Sequence, residues 1–185
     1  FSVSHRLHAS VSAITKFLPS YVGFLVERET TNLGKVLNEP VQGKTIILGG
    51  AKVSTKLPVI KNFLGRAEHI LVAGVLANTV FKSKGLKVGK SVVEEVDGQF
   101  DWNDPKILLP IDFVVSNDKS GETATEIFPV KDIPEDKMIL DIGPETIRQF
   151  SGILGGSKTV IFNGPVGLAE VEAFSAGTKA VLDSI

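Results

Sequence analysis

The sequence predicts an α/β fold, a doubly wound and mainly parallel sheet with flanking helices. Short β-branched runs end in small residues, and a pattern of helical period follows most of them. Alternation of that kind builds a parallel sheet covered on both faces. Composition agrees: of 185 residues, 43% are hydrophobic and 22% charged, with 11 Phe, which suits one folded domain and not a disordered chain.

From His8 to Leu37, apolar residues recur at helical spacing: Val11, Ile14, Phe17 and Leu18, then Val22, Leu25 and Val26, then Leu33 and Leu37. Pro19 and Gly23 interrupt the pattern, which predicts two helices, the second ending near Glu39-Pro40. The grammar then changes. Lys44 to Leu48 reads as a buried strand running into Gly49-Gly50, and Thr55 to Leu64 as a helix with Pro58 in its first turn. The unit repeats with His69 to Gly74, followed by a helix from Leu76 to Lys84. Ile107 to Leu109 and Phe113 to Val115 are further apolar runs, and Ser116 to Glu126 reads as a polar loop. Met138 to Gly143 is a strand leading to a helix over Glu145 to Leu154. Thr159 to Phe162 is another, meeting Asn163-Gly164-Pro165, and a last helix runs from about Phe174 to the chain end.

The formal net charge is −1, so no strong basic field exists to hold nucleic acid or an anionic membrane. The chain has no cysteine, which excludes disulfides, thiolate metal sites and cysteine nucleophiles. No apolar run reaches the ~18 residues a membrane span needs. The opening residues, with His5, Arg6 and His8, do not read as a signal peptide. Cytoplasm is the expected location.

Ligands of doubly wound sheets sit at the carboxyl ends of the strands. Here those ends are Gly49-Gly50, Ala73-Gly74 and Asn163-Gly164-Pro165. Small residues let a ligand approach the backbone, and adjacent helix N-termini offer N–H groups to phosphates. The same glycines also serve plain tight turns, but three such loops together favour a nucleotide site. Lys52 and Lys56 lie four apart beside the first loop, a spacing that suits a polyphosphate or a pair of solvated surface lysines. Glu170 follows Gly164-Pro165-Val166-Gly167. It reads either as a ribose-binding carboxylate or as a helix-start charge. His5-Arg6-Leu7-His8 stays open between a metal pair, an anion-binding arginine and a structural helix start. Lys84 to Ser91 imitates a P-loop, but Gly85 is one residue too close to Gly89. No G-x-G-x-x-G occurs, which argues against a dinucleotide dehydrogenase.

Taken together, these strings resemble the phosphoglycerate kinase family. His5-Arg6-Leu7-His8-Ala9-Ser10, Leu48 to Ser54, Leu109-Pro110-Ile111-Asp112, Asp141-Ile142-Gly143-Pro144 and Asn163 to Glu170 with Gly177-Thr178 occur in family order across the chain. The resemblance implies reversible phosphoryl transfer between 1,3-bisphosphoglycerate and ADP, giving 3-phosphoglycerate and ATP, dependent on Mg2+. It implies a Rossmann-like, two-lobed, monomeric parent closed by a hinge. Residues 1–40 would be the interlobe helical segment, and 41–185 the truncated nucleotide-binding lobe. Arg6 matches a phosphoglycerate-side arginine, Lys52 the lysine that meets the transferring phosphoryl group, and Lys56 a nucleotide-phosphate lysine. Gly143 and Glu170 match nucleotide contacts, with Gly50, Ala51, Gly74, Asn163 and Pro165 around the pocket.

The departures are Thr55 in place of the family's Asp, the reduced Ala73-Gly74-Val75 stretch, and a short polar Val96 to Lys106. The resemblance also places most of the phosphoglycerate lobe before Phe1. The Gly-Gly-Gly-Asp-Thr loop, whose Asp is the expected metal ligand, falls after Ile185. On this reading the sheet is incomplete at its C-terminal strands, its edge near Thr159 to Phe162 is unpaired, and the chain alone is inactive. The alternative is a truncated, non-catalytic nucleotide-binding module.

Overall fold

The computed structural model describes residues 5–95 and 100–185. Of the short segment from Val96 to Lys106, residues 96–99 lie outside the described residues. The chain divides into two compact units, one ending at Glu39 and one spanning Pro40–Ile185.

In the first unit the two expected helices become one. Only single turns form at Ala9–Ala13 and Ile14–Lys16, and the one true helix is α1, Phe24–Asn38. A run that stops before Pro19 is too short to repay helix nucleation when none of its residues is buried. α1 ends where expected, because Glu39 precedes Pro40 and takes an extended conformation.

The second unit holds two sheets. Strands β1 (Lys44–Leu48), β2 (His69–Val72), β3 (Ile107–Leu108) and β7 (Thr159–Asn163) form a parallel sheet in the order β3-β2-β1-β7. The other three strands are β4 (Asp112–Ser116), β5 (Glu126–Pro129) and β6 (Met138–Ile142). They form an antiparallel sheet in the order β5-β4-β6. The Met138 run is thus a strand, as its sequence says, but it pairs with β4 outside the parallel sheet. β7 forms one edge of the parallel sheet and pairs with β1.

β1 is buried along its whole length, as a central strand covered on both faces should be. Ile47 and Leu71 point into a cluster with Phe150 and Leu154 of α4 (Pro144–Gly155), Val181 of α5 (Ala176–Asp183) and Ile142 of β6. Their neighbours Ile46, Leu48, Ile70 and Val72 are fully buried as well, so the opposite face is also covered. Two further helices follow β1 and β2: α2 (Val53–Phe63) and α3 (Gly74–Ser83). α2 begins two residues earlier than its periodicity suggests, which places Pro58 inside the helix and not in its first turn. α3 is buried continuously from Leu76 to Phe81, and the P-loop-like string after it is structural. Gly85 turns the chain out of α3, with Leu86 N–H bonding Phe81 O, and Gly89 bridges to Met138.

Candidate functional site

The carboxyl ends of β1, β2 and β7 meet at one edge of the parallel sheet, and their loops bond to one another. Gly49 N–H donates to Asn163 O (3.1 Å), Gly50 N–H to Pro165 O (2.8 Å), Ala73 N–H to Leu48 O (2.8 Å) and Val75 N–H to Gly50 O (3.2 Å). The backbones are in direct contact. A Cβ on Gly49 would stand 2.0 Å from Pro165 O, and one on Gly74 would stand 3.0 Å from Gly50 N. These glycines serve loop-to-loop packing, and the N–H groups of Gly49 and Gly50 are spent on it.

The N-terminus of α2 is also committed. Glu94 reaches it from the segment after α3, and its carboxylate accepts Val53 N–H (2.7 Å) and Ser54 N–H (3.1 Å). The Ser54 side chain first, then those two backbone bonds, and last the nearby charge of Lys52 lower the pKa of Glu94. So the sequence-based expectation of free helix N–H groups for phosphate does not hold at α2. The segment carrying Glu94 is itself fixed. Asn78 Nδ2 donates to Val92 O (3.2 Å), Thr79 Oγ1 accepts Glu94 N–H (3.1 Å), and Ser91 Oγ accepts Ile139 N–H (2.8 Å).

Beside this edge lies a cavity of about 550 Å³. Gly50, Ala51, Gly74, Val75 and Pro165 form one wall, and Met138 to Asp141 of β6 another. Val92, Phe113, Val166 and Leu168 keep the lining apolar, while Asn78, Lys119, Asp141 and Glu170 supply the polar groups. A concave, mostly apolar space with a few convergent polar groups is the usual form of a small-molecule site.

Of the sequence-derived residues, Gly50, Ala51, Gly74, Pro165 and Glu170 line this cavity. Lys56 lies next to the loop cluster, its Nζ donating to the Asn163 side chain and to Asn163 O (3.3 Å). Burial lowers its pKa. Lys52 is exposed at the N-cap of α2, and its extended backbone sets it off the helix that carries Lys56. Thr55, where the resemblance leads one to expect Asp, donates its hydroxyl to Lys52 O (3.0 Å).

Gly143 does not line the cavity. It packs on Asp112, where an added Cβ would stand 2.3 Å from the carboxyl carbon. Asp112 caps α4 through Glu145 N–H (3.0 Å) and Thr146 N–H (2.8 Å). Arg6 belongs to the first unit and is exposed. Among the described residues no three His, Cys, Asp or Glu side chains converge as a metal site, and no helix is long and apolar enough to cross a membrane.

Sequence reasoning missed Asn78, which lies within the expected Leu76 to Lys84 helix, and Lys119 and Glu94, which sit in segments without a telling pattern. It quoted Asp141 only as part of a motif. Asp141 is 2% exposed, and burial raises its pKa to about 6 against the bonds from Gly177 and Ile142.

The chain is similar throughout to one kind of protein. The family model described as phosphoglycerate kinase matches residues 1–185. The phosphoglycerate kinases of Herpetosiphon aurantiacus and Finegoldia magna are 41% and 42% identical to it, over 100% of this chain and 49% of theirs. The crystal structure of phosphoglycerate kinase from Pyrococcus horikoshii OT3 matches 99% of this chain and 49% of its own, with a TM-score of 0.78 and 29% identity. The structure from Coxiella burnetii matches 88% of this chain with a TM-score of 0.79 and 28% identity. The chain spans about half the length of the curated relatives it matches, and it belongs to the phosphoglycerate kinase family.

Proposed function

We propose that the cavity at the sheet edge is the nucleotide site of a phosphoglycerate kinase. The full gene product would move a phosphoryl group reversibly between 1,3-bisphosphoglycerate and ADP, giving 3-phosphoglycerate and ATP. One observation carries this reading: a wall of small residues, Gly50, Ala51, Gly74 and Pro165, lies at the carboxyl edge of a parallel sheet, in the same cavity as Glu170. An apolar space of that size takes a base and a ribose, with Glu170 accepting ribose hydroxyls. Because Glu94 already takes the Val53 and Ser54 N–H groups of α2, the phosphates beside that helix fall to side-chain cations, Lys56 for the nucleotide and Lys52 for the transferring group. Arg6 serves the phosphoglycerate side. Gly143 would act from behind, by holding β6 and α4 together.

Mg2+ would accompany ATP or ADP and neutralise phosphate charge. The described residues do not offer it a ligand cluster, so no step here is assigned to it, and its Asp is expected outside this chain. The parent is read as a cytoplasmic monomer, with residues 1–40 as the interlobe segment, and the isolated chain as inactive because it spans about half the length of its relatives. Calorimetry on the full gene product tests the site. Lys56→Ala should weaken both ADP and tripolyphosphate. Glu170→Ala should weaken ADP about 10-fold, as loss of a charged hydrogen bond does, and leave tripolyphosphate unchanged. If both variants bind ADP like the parent, the site assignment is wrong.

A further inference from the structure

Resting on that reading of Glu170, we infer that Asp141 is a positioning residue, whose buried carboxylate holds the segment carrying Glu170 against the cavity.

The segment from Val166 to Thr178 leaves the β7 loop, passes Glu170 and enters α5. It is pinned to β6 at two neighbouring residues: Leu168 N–H donates to Leu140 O (2.8 Å), and Gly177 N–H donates to Asp141 Oδ2 (2.7 Å). Its ends are tied together by Val166 N–H on Thr178 Oγ1 (3.1 Å). The two glycines that bracket Glu170 both close on the same carboxylate. A Cβ on Gly167 would stand 2.1 Å from Asp141 Oδ1, and one on Gly177 would stand 2.4 Å from it. That oxygen also accepts Ile142 N–H (2.9 Å). Each carboxylate oxygen therefore faces a backbone donor, with no room for a larger group on either side.

An ionised carboxylate suits two donors, and a neutral amide does not, since its NH2 would face one of the N–H groups. The charged groups on the elements packed against β6 are Asp112 on β4, Lys82 on α3, and Lys179 and Asp183 on α5, with Glu170 and Glu172 on the segment itself. None of them contributes to the raised pKa, which burial causes. Keeping this carboxylate charged works against the fold, so the fold gains and the Gly177 bond weakens when Asp141 takes a proton. A group that only held the fold together would move stability and affinity in the same direction with pH. Asp141 is expected to move them in opposite directions.

The experiment uses the full gene product, with ADP and tripolyphosphate as probes at pH 8. Asp141→Asn should weaken ADP about 5- to 10-fold, leave tripolyphosphate unchanged, and add less than about 2-fold in a Glu170→Ala background, because both changes act on one contact. A second measurement needs no variant at Asp141. Adenosine, which has no titrating phosphate, should bind the parent about 2- to 3-fold more weakly at pH 5.5 than at pH 8, and this trend should vanish in Glu170→Ala. The inference is overturned if Asp141→Asn binds ADP like the parent, if it weakens tripolyphosphate equally, if its effect persists undiminished in Glu170→Ala, or if adenosine affinity of the parent is flat with pH. Glu170→Ala binding ADP like the parent would instead bring down the nucleotide reading of Glu170, and this inference with it.

Discussion

Substituting Gly49 by Ala puts a Cβ into the junction of the β1 and β7 loops. That atom would lie 2.0 Å from Pro165 O, 2.7 Å from Pro165 C and 2.8 Å from Gly164 O. All three are backbone atoms, so no side-chain rotation relieves the clash. Pro165 would have to retreat by more than about 1 Å to reach ordinary van der Waals distance. A shift of that size lengthens the Gly50 N–H to Pro165 O bond beyond bonding range and strains the Gly49 N–H to Asn163 O bond beside it. One lost and one weakened backbone bond at about 1 kcal/mol or less each, with about 1–3 kcal/mol more where a donor stays buried without a partner, give a destabilisation of about 2–4 kcal/mol. Gly50→Ala is the control. Gly50 has φ +81, but a Cβ there meets nothing within 4 Å, so only left-handed strain of about 1–2 kcal/mol is expected. Urea unfolding of the parent and both variants gives the comparison, with unchanged slopes confirming that stability alone has moved. If Gly49→Ala were no more destabilising than Gly50→Ala, the glycine would not be there for close packing of the loops.

The raised pKa of Asp141 also sets a pH dependence of stability. Its pKa goes from 3.8 to about 6, so between those values the folded chain holds more protons than the unfolded one. Its stabilising contribution is full below about pH 4 and lost as pH rises through about 6, a difference of about 3 kcal/mol at most. Parent minus Asp141→Asn, compared by thermal melts from pH 4.5 to 8, should rise toward acid, and a flat difference would contradict the burial argument. If Lys52 meets the transferring group as proposed, Lys52→Ala in the full gene product should lower kcat about 100-fold or more with little change in nucleotide affinity, since a cation aimed at the moving group acts on the transition state. A raised KM with kcat intact would make Lys52 a uniform binding residue.

The parallel sheet was readable because its strands announce themselves locally. Lys44 to Leu48, His69 to Val72 and Thr159 to Phe162 are β-branched runs that stop at small residues, and helical period follows the first two directly. Pairing is not local, which is why the Met138 run could be recognised as a strand yet not assigned to β4. β5 was invisible for a related reason: only four residues long and mostly exposed, Glu126–Pro129 shows neither burial nor alternation, and it becomes a strand through Val114 and Phe113 opposite it. The first expected helix failed where local period had no packing to support it.

The candidate site divides along the same line. Five of the ten sequence-derived residues line the cavity; four of them, Gly50, Ala51, Gly74 and Pro165, sit just past strand ends whose position follows from the fold class, and Glu170 lies on the segment after β7. The side chains that hold the site in shape come from elsewhere in the sequence. Glu94 lies 40 residues beyond the helix terminus it caps, and Asp141 lies 36 residues before the glycine it anchors. Nothing in the residues around Glu94 distinguishes it from Glu95, its neighbour. What makes Glu94 structural is that α2 starts at Val53 and leaves two N–H groups facing it, a fact that exists only once β1, α3 and the segment after it are in place. That same bond changes the chemistry of the site. A glycine loop before a helix suggests phosphate held by backbone N–H groups, yet here a carboxylate already occupies the terminus. On the proposed nucleotide reading, phosphate contacts beside α2 would fall to side chains such as Lys52 and Lys56, whose charges the protein leaves without a salt bridge among the described residues.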